Sequence, residues 1–458
     1  MLPLTAILIL GLSLLFFALS RNRAIGLADG RLANLHSRPA YHGAYSLLWT
    51  LLTGISVLLI VGLSWSALLE ATLMAEIAAA LPGEPNIVHQ LVLGDARAIA
   101  TGGVASQTDA LRERIADAYG AGETLRLWVT AALATGVALV TGYITYNKVS
   151  LAWRARNRAE KMIRVILAAC ATVAILTTIG IVLSLISTTM EFFGNIGWRV
   201  DKFLFGTTWS PLAGVQDGQL DPDRVGAVPL FLGTFMITII AMLVAVPVGL
   251  FAAIYLSDFA SKRTRAWAKP LLEILAGVPT VVYGFFAAIT VAPFIRDLGQ
   301  SIGLATSSSS ALAAGMVMGI MIIPFISSLS DDVINSVPQS LRDGSYGLGA
   351  TKAETIRQVV LPAALPGIVS AVLLGVSRAV GETMIVVMAA GQGANMTWNP
   401  LEAVTTVTVQ IVMLYTGDTD LATASGPVFA LGFTLFCVTL ALNILALKIV
   451  RRYRELYD

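Results

Sequence analysis

Residues 229–256 read PLFLGTFMITIIAMLVAVPVGLFAAIYL, a 28-residue run without a charged side chain. The hydrocarbon core of a bilayer needs about 20 apolar residues of helix, so this run is long enough to cross it. It is continuous and lacks period-two alternation, which favours a helix over a barrel strand. Eight further runs of the same kind lie at 2–20, 45–70, 124–146, 165–188, 271–295, 310–329, 366–390 and 424–447. The expected fold is an all-α polytopic membrane protein with about nine transmembrane helices.

Composition agrees. Hydrophobic residues make up 56% of the 458 positions and charged residues 13%, about half the roughly 25% of soluble chains. Mean hydropathy is +0.78. So few charges cannot cover a soluble surface of this size, and the same figures exclude disorder, collagen and coiled coil. A net charge of +2 argues against a nucleic-acid partner. Cys170 and Cys437 sit in apolar runs, which makes a disulfide framework improbable, and His36, His42 and His89 have no metal-ligand spacing. No Lys follows a Gly, so the chain has no P-loop of its own for ATP; the H-E-x-x-H and G-x-S-x-G patterns are missing too.

Lys and Arg set direction. Segments 21–44, 147–164, 257–270, 330–365 and 448–458 hold 21 of them, against 7 in 71–123, 189–228, 296–309 and 391–423. This alternation places the N-terminus outside and the C-terminus in the cytoplasm. Segment 330–365 alone among the cytoplasmic set has an acidic balance, so its side follows from its neighbours. The first run lacks a positive region before it and is followed by Arg21 and Arg23, which reads as a retained anchor rather than a cleaved signal. In the outer loop 71–123, Thr108 is the expected cap of a short surface helix striped by Leu111 and Ile115 and stopped by Gly120, with His89 solvated. Loops shorten after residue 160, which suggests a three-helix appendage over 1–160 and a six-helix core over 161–458.

The polar segment LRDGSYGLGATKAETIRQVVLPAALP (341–366) carries the recognition. It resembles the coupling loop of ABC importer permeases, whose pattern is E-A-A, three residues, Gly, nine residues, then I-x-L-P. Asp343, Gly344 and Ser345 stand at the E-A-A places, Gly349 at the Gly, and Val359-Val360-Leu361-Pro362 at the ending. Asp replaces Glu, Gly and Ser replace the alanines, and Val replaces Ile. FGTTWSP (205–211), the run 233–259, LLEILAGVPTVVYGF (271–285) and SRAVGETMIVVMAAG (377–391) resemble the phosphate-specific branch, PstC-type. The likeness covers 200–450 well and does not extend to 1–160.

That resemblance implies a type I ABC importer core and a translocation subunit that is not an enzyme. It also implies a second, PstA-type permease, two PstB-type ATPases and a periplasmic phosphate-binding protein. No cofactor would be bound by this chain, with ATP and Mg on the ATPases. Molybdate or sulfate is the alternative cargo. An ATP-independent secondary transporter would need more intramembrane acids or an inverted repeat; a membrane-embedded sensor fits the outer loop and can coexist with transport.

Arg378 and Glu382 are the one charged pair expected inside the membrane, four residues apart and so on one face of the run 366–390. A guanidinium offers a donor fork suited to phosphate oxygens. A static interhelical bridge is the competing reading, and the resemblance favours a place on the substrate path for both residues. The remaining polar residues in the runs are expected to bond to helix carbonyls or across helices.

Overall fold

The computed structural model describes residues 2–29, 32–213, 220–417 and 421–454. Arg31, which enters the Lys and Arg count of segment 21–44, and the last four residues lie outside the described residues. Among the described residues the chain is helical, without strands, and nine helices are long and apolar enough to cross a membrane. Contacts divide it into two compact units, Met1–Leu176 and Thr177–Asp458; the sequence suggests a change near residue 160.

The first unit contains α1 (Leu2–Leu27), α2 (Pro39–Ala80), α3 (Asn86–Ala100), α4 (Ala110–Asn147) and the first half of α5 (Ala155–Asn195). The expected outer loop 71–123 is mostly helix. Residues of α2, α3 and α4 bury Leu73, Ile77, Val92, Leu93, Ala96 and Ile115 against one another in a knob beyond the membrane runs. Asp109, not Thr108, caps α4 by accepting the Arg112 N–H at 2.8 Å. Gly120 does not stop that helix, which continues into the third span because a single Gly costs only about 1 kcal/mol. His89 is buried rather than solvated, and its Nε2–H donates to the Leu81 carbonyl at 3.2 Å.

Asp95 ties the knob together. It accepts the Ser106 N–H at 2.8 Å and the Arg112 Nε–H at 2.9 Å. The Ser106 N–H first, and then Arg112, hold its carboxyl below the usual carboxylate range. A depressed folded-state pKa gives stability that is full above about pH 4 and is lost as pH falls through the folded value. Asp95→Asn is expected to speed amide exchange in α3 at neutral pH. Acidification of the wild type should do the same after correction for intrinsic rates. Unchanged α3 protection in the variant would remove Asp95 from that role.

The second unit continues α5 and adds α6 (Val200–Phe205), α7 (Val228–Ile254), α8 (Lys262–Ala276), α9 (Thr280–Phe286), α10 (Ala292–Ser301) and α11 (Ala311–Ser336). After these come α12 (Gln339–Gly347), α13 (Lys352–Thr355), α14 (Leu361–Val380), α15 (Met384–Ala389), α16 (Val407–Thr416) and α17 (Leu421–Arg454). Helices α7 and α11 form its centre, burying Ile237, Ala241, Met318, Ile322 and Ile326. They approach closely because Gly319 lies where a Cβ would stand 2.8 Å from the Ala241 carbonyl oxygen. Membrane helices associate by such close packing, since lipid gives little hydrophobic drive between them.

Two expected spans are corrected. The run 271–295 is split, because Gly277 ends α8 and Pro279 starts α9. The crossing helix is therefore Thr280–Ser301, and α8 is a separate, exposed helix. The run 366–390 is also two pieces, with α14 ending at Gly381. π-helical turns at Ala287–Val291 and Ile356–Val360 each contain the carbonyl that Pro293 or Pro362, lacking an N–H, leaves without its usual donor. The expected outer segment 391–423 is not a simple loop. Val404, Thr405, Thr406, Val407 and Gln410 are buried, and the Val407 N–H donates to Thr234 Oγ1 at 3.1 Å.

Candidate coupling interface and substrate path

The loop expected over 330–365 is narrower in the structure, because α11 runs on to Ser336 and α14 already starts at Leu361. Between them two short helices meet at a tight turn. Gly349 has φ +87°, the left-handed region that glycine occupies without the Cβ penalty. Its N–H donates to the Tyr346 carbonyl at 2.9 Å and the Ala350 N–H to the Ser345 carbonyl at 3.2 Å, a Schellman ending for α12. Thr351 then opens α13 with a capping box: Glu354 N–H donates to Thr351 Oγ1, and the Glu354 carboxylate takes the Thr351 N–H at 2.8 Å. Ser345 and Thr355 hydroxyls lie 2.9 Å apart and pin the two helices. Leu361 and Pro362 directly follow the π-helical turn Ile356–Val360, within a helix that runs from Lys352 to Val380.

Helix α12 has two faces. On the inner one, Arg342 is buried, pairs with Asp258 at the end of the α7 continuation, and donates to the Ile334 carbonyl at 2.9 Å. On the outer one, Leu341, Gly344 and Leu348 follow at helical spacing, and Leu348 is 92% exposed. A Cβ at Gly344 would meet nothing in this chain. Asp343 is exposed and accepts from the Gln339 amide at 3.0 Å.

The acidic balance of this segment has a structural reason. Asp331 is buried and accepts two bonds from Arg265 at 3.0 Å and one from Lys269 at 2.9 Å. Its carboxylate, more than any other neighbour, raises the Lys269 pKa above the ordinary ammonium value. The acids of α11 thus neutralise the cations of the 257–270 segment. Local spacing does not mark Asp258, Arg265, Lys269, Asp331 or Arg342; opposite net charge on the polar segments 257–270 and 330–365 is the signal that could have found them.

Arg378 and Glu382 are not a pair. The helix that would have placed them on one face ends at Gly381, and among the described residues no ion pair involves either. Arg378 occupies the last turn of α14, where helix carbonyls carry partial negative charge. Its guanidinium lies over the Phe325 ring, 5.5 Å from the centroid, midway along α11. Glu382 instead accepts the N–H groups of Met384 and Ile385 at 2.9 and 3.3 Å and so starts α15. The chain therefore has a broken helix at membrane depth, and its exposed cation lacks a carboxylate partner. Toward the outer end, Gln410 accepts from Trp209 Nε1 at 3.0 Å and donates to the Gln392 carbonyl at 2.8 Å, beside a cavity of about 430 Å³.

The family described as binding-protein-dependent transport system inner membrane component matches residues 245–455. The one described as phosphate ATP-binding cassette transporter matches 6–177. A probable ABC transporter permease of Bacillus subtilis is 36% identical over 256 residues, covering 56% of this chain and 79% of that protein. The phosphate transport permease PstC 1 of Mycobacterium tuberculosis is 34% identical over 289 residues, covering 57% and 85%. The chain belongs to the PstC-type permease family of ABC importers. A permease of a bacterial alginate importer overlays with a TM-score of 0.46 at 16% identity, over 64% of this chain and 96% of that one. The family match over 6–177 also corrects the expectation that the first 160 residues fall outside the resemblance.

In a permease of this family the Gly349 turn sets the angle between α12 and α13. Gly349→Val forces a β-branched residue to positive φ, at a cost of roughly 1–3 kcal/mol. Transport driven by ATP is expected to fall several-fold while the protein still reaches the membrane. An unchanged number of solutes moved per ATP would show that the turn geometry is not needed.

Proposed function

We propose that this chain is the permease subunit of an ATP-driven importer of inorganic phosphate, with Arg378 meeting the anion and α12 receiving the motion of a partner ATPase. The observation that carries the reading is Arg378: exposed, near the middle of α11, and free of any ion pair among the described residues. A net positive site attracts an anion, whereas a neutral Arg–Glu pair would attract it weakly. Glu382 acts on the path indirectly, by starting α15 next to the helix break.

The outer face of α12 supports the docking role. Gly344 costs about 1 kcal/mol of helix propensity, and nothing inside the chain needs a residue that small. The gain then lies with a surface outside the chain, which Gly344, Leu341 and Leu348 can approach closely. Asp343, Ser345, Gly349, Leu361 and Pro362 shape that helix and its turn.

The chain is a multi-pass membrane protein and a translocation subunit rather than an enzyme. Its partners in this reading are a PstA-type second permease, two PstB-type ATPases that hold ATP and Mg, and a periplasmic phosphate-binding protein. Residue 2 faces the periplasm, and α12 and the end of α17 face the cytoplasm. Nucleotide binding by the ATPases moves α12, and the core helices alternate between inward and outward access. Labelled phosphate uptake in cells lacking only this chain, and lacking backup phosphate systems, tests the reading. Loss of uptake, restored by the intact gene and unaffected by sulfate or molybdate, is expected. Retained uptake, or competition by molybdate or sulfate, would reassign the cargo.

A further inference from the structure

The first unit holds a basic cavity of its own. Residues near the end of α1 and residues 32–40 line a cavity of about 840 Å³, with Arg21, His36 and Arg38 beside Ile25, Leu32 and Leu35. That volume is within the range of ligand sites. No carboxylate is among the lining residues. Arg21 and Arg38 have no ion-pair partner among the described residues, unlike nearby Arg156, which Glu160 holds at 2.6 Å.

The cavity is built rather than incidental. The His36 N–H donates to the Leu151 carbonyl at 3.0 Å, which fastens residues 32–40 to the α4–α5 connection. Ser37, buried beside it, accepts the Arg156 N–H at 3.2 Å. Beneath, Ala24, Ala28, Leu35 and Val149 form a small core. Segments 21–44 and 147–164 hold ten Lys and Arg against Asp29 and Glu160 as their only acids, so the field over the cavity is strongly positive.

The apolar half of the lining decides which anion fits. Ile25 is 41% and Leu32 58% exposed. Ile25 lies on the same helical face of α1 as the exposed Ile7 and Leu14, a surface that acyl chains cover in a bilayer. A free anion has no use for that wall. We infer that this cavity binds the headgroup of an anionic phospholipid, the phosphate between Arg21 and Arg38 and the first part of an acyl chain along Ile25 and Leu32. Basic pockets at the cytoplasmic ends of membrane helices hold such headgroups.

The test uses the full chain purified in detergent and examined by native mass spectrometry with phosphatidylglycerol or phosphatidylcholine added. The wild type should retain phosphatidylglycerol in preference, and Arg21→Gln/Arg38→Gln should lower that retention by about tenfold or more. Arg154→Gln/Arg158→Gln, on the same basic segments but outside the cavity, should leave it unchanged. Equal retention by the first double variant, or an equal loss in the second, would overturn the site. Displacement of the lipid by millimolar inorganic phosphate would make it a free-anion site instead and overturn the lipid assignment. Should the first variant fail to purify, a photoactivatable phosphatidylglycerol on the wild-type protein gives the same decision. Label within residues 21–40 supports the site, and label confined to other segments rejects it.

Discussion

Arg378→Ala is expected to abolish phosphate import while the permease still accumulates in the membrane. A charge at the bilayer centre costs about 2.5–3.5 kcal/mol. Two features of the fold offset part of this. The α14 C-terminus favours a cation by about 0.3–1 kcal/mol, and the Phe325 face adds about 0.5–1 kcal/mol at an exposed site. No carboxylate completes the compensation. Removing Arg378 therefore costs the fold little and can even stabilise it, so the sequence alternative of a static bridge and the transport reading predict opposite phenotypes. The guanidinium fork offers the anion two charge-assisted hydrogen bonds of about 1.5–3 kcal/mol each, so uptake should drop by about a hundredfold or more. Arg378→Lys keeps the charge but loses the two-pronged geometry and should retain a part of the activity. Labelled uptake, normalised to membrane protein, decides it: normal uptake by the alanine variant would remove Arg378 from the path.

The second large effect concerns Arg342. Its side chain and that of Asp258 are 10% and 7% exposed; Arg342 pairs with Asp258 Oδ1, and the buried Oδ2 has no hydrogen-bond partner among the described residues. Arg342→Ala leaves that carboxylate buried and unpaired, at a cost of about 3–5 kcal/mol. This contact ties the inner face of α12 to the end of the α7 continuation, so its loss separates α12, the proposed docking helix, from the transmembrane core. The expected result is ATP hydrolysis without import in the assembled transporter. Arg342→Met combined with Asp258→Leu removes both charges at similar volume. It should recover expression that either single change loses, as coupled neighbours do. A wild-type ratio of phosphate moved per ATP in Arg342→Ala would refute the transmission role.

Much of this protein was legible in its residue order. Seven of the nine apolar runs, the helical character of the 341–366 segment and the Gly349 turn survive in the structure, because each depends on local chemistry. Twenty apolar residues bury their own backbone bonds in lipid wherever the rest of the chain goes. Gly349 makes its turn because glycine alone takes positive φ without strain. The charge pair failed for an equally definite reason. Spacing by four residues places two side chains on one face only while the helix continues, and hydropathy reports composition, not where hydrogen bonding stops. Gly381 ended the helix between Arg378 and Glu382, just as Gly277 and Pro279 divided the run 271–295.

The partners that replaced the expected pair were beyond any local rule. Arg342 meets Asp258 across 84 residues and Asp331 meets Arg265 across 66, and His89 is buried because three helices close over it. Sequence by itself determined that the chain is a helical membrane permease with a Gly349 turn between two short polar helices. Tertiary structure alone decided which charges are neutralised and which cation stays free, because an ion's partner is set by what packing brings within about 4 Å of it, not by its neighbours along the chain.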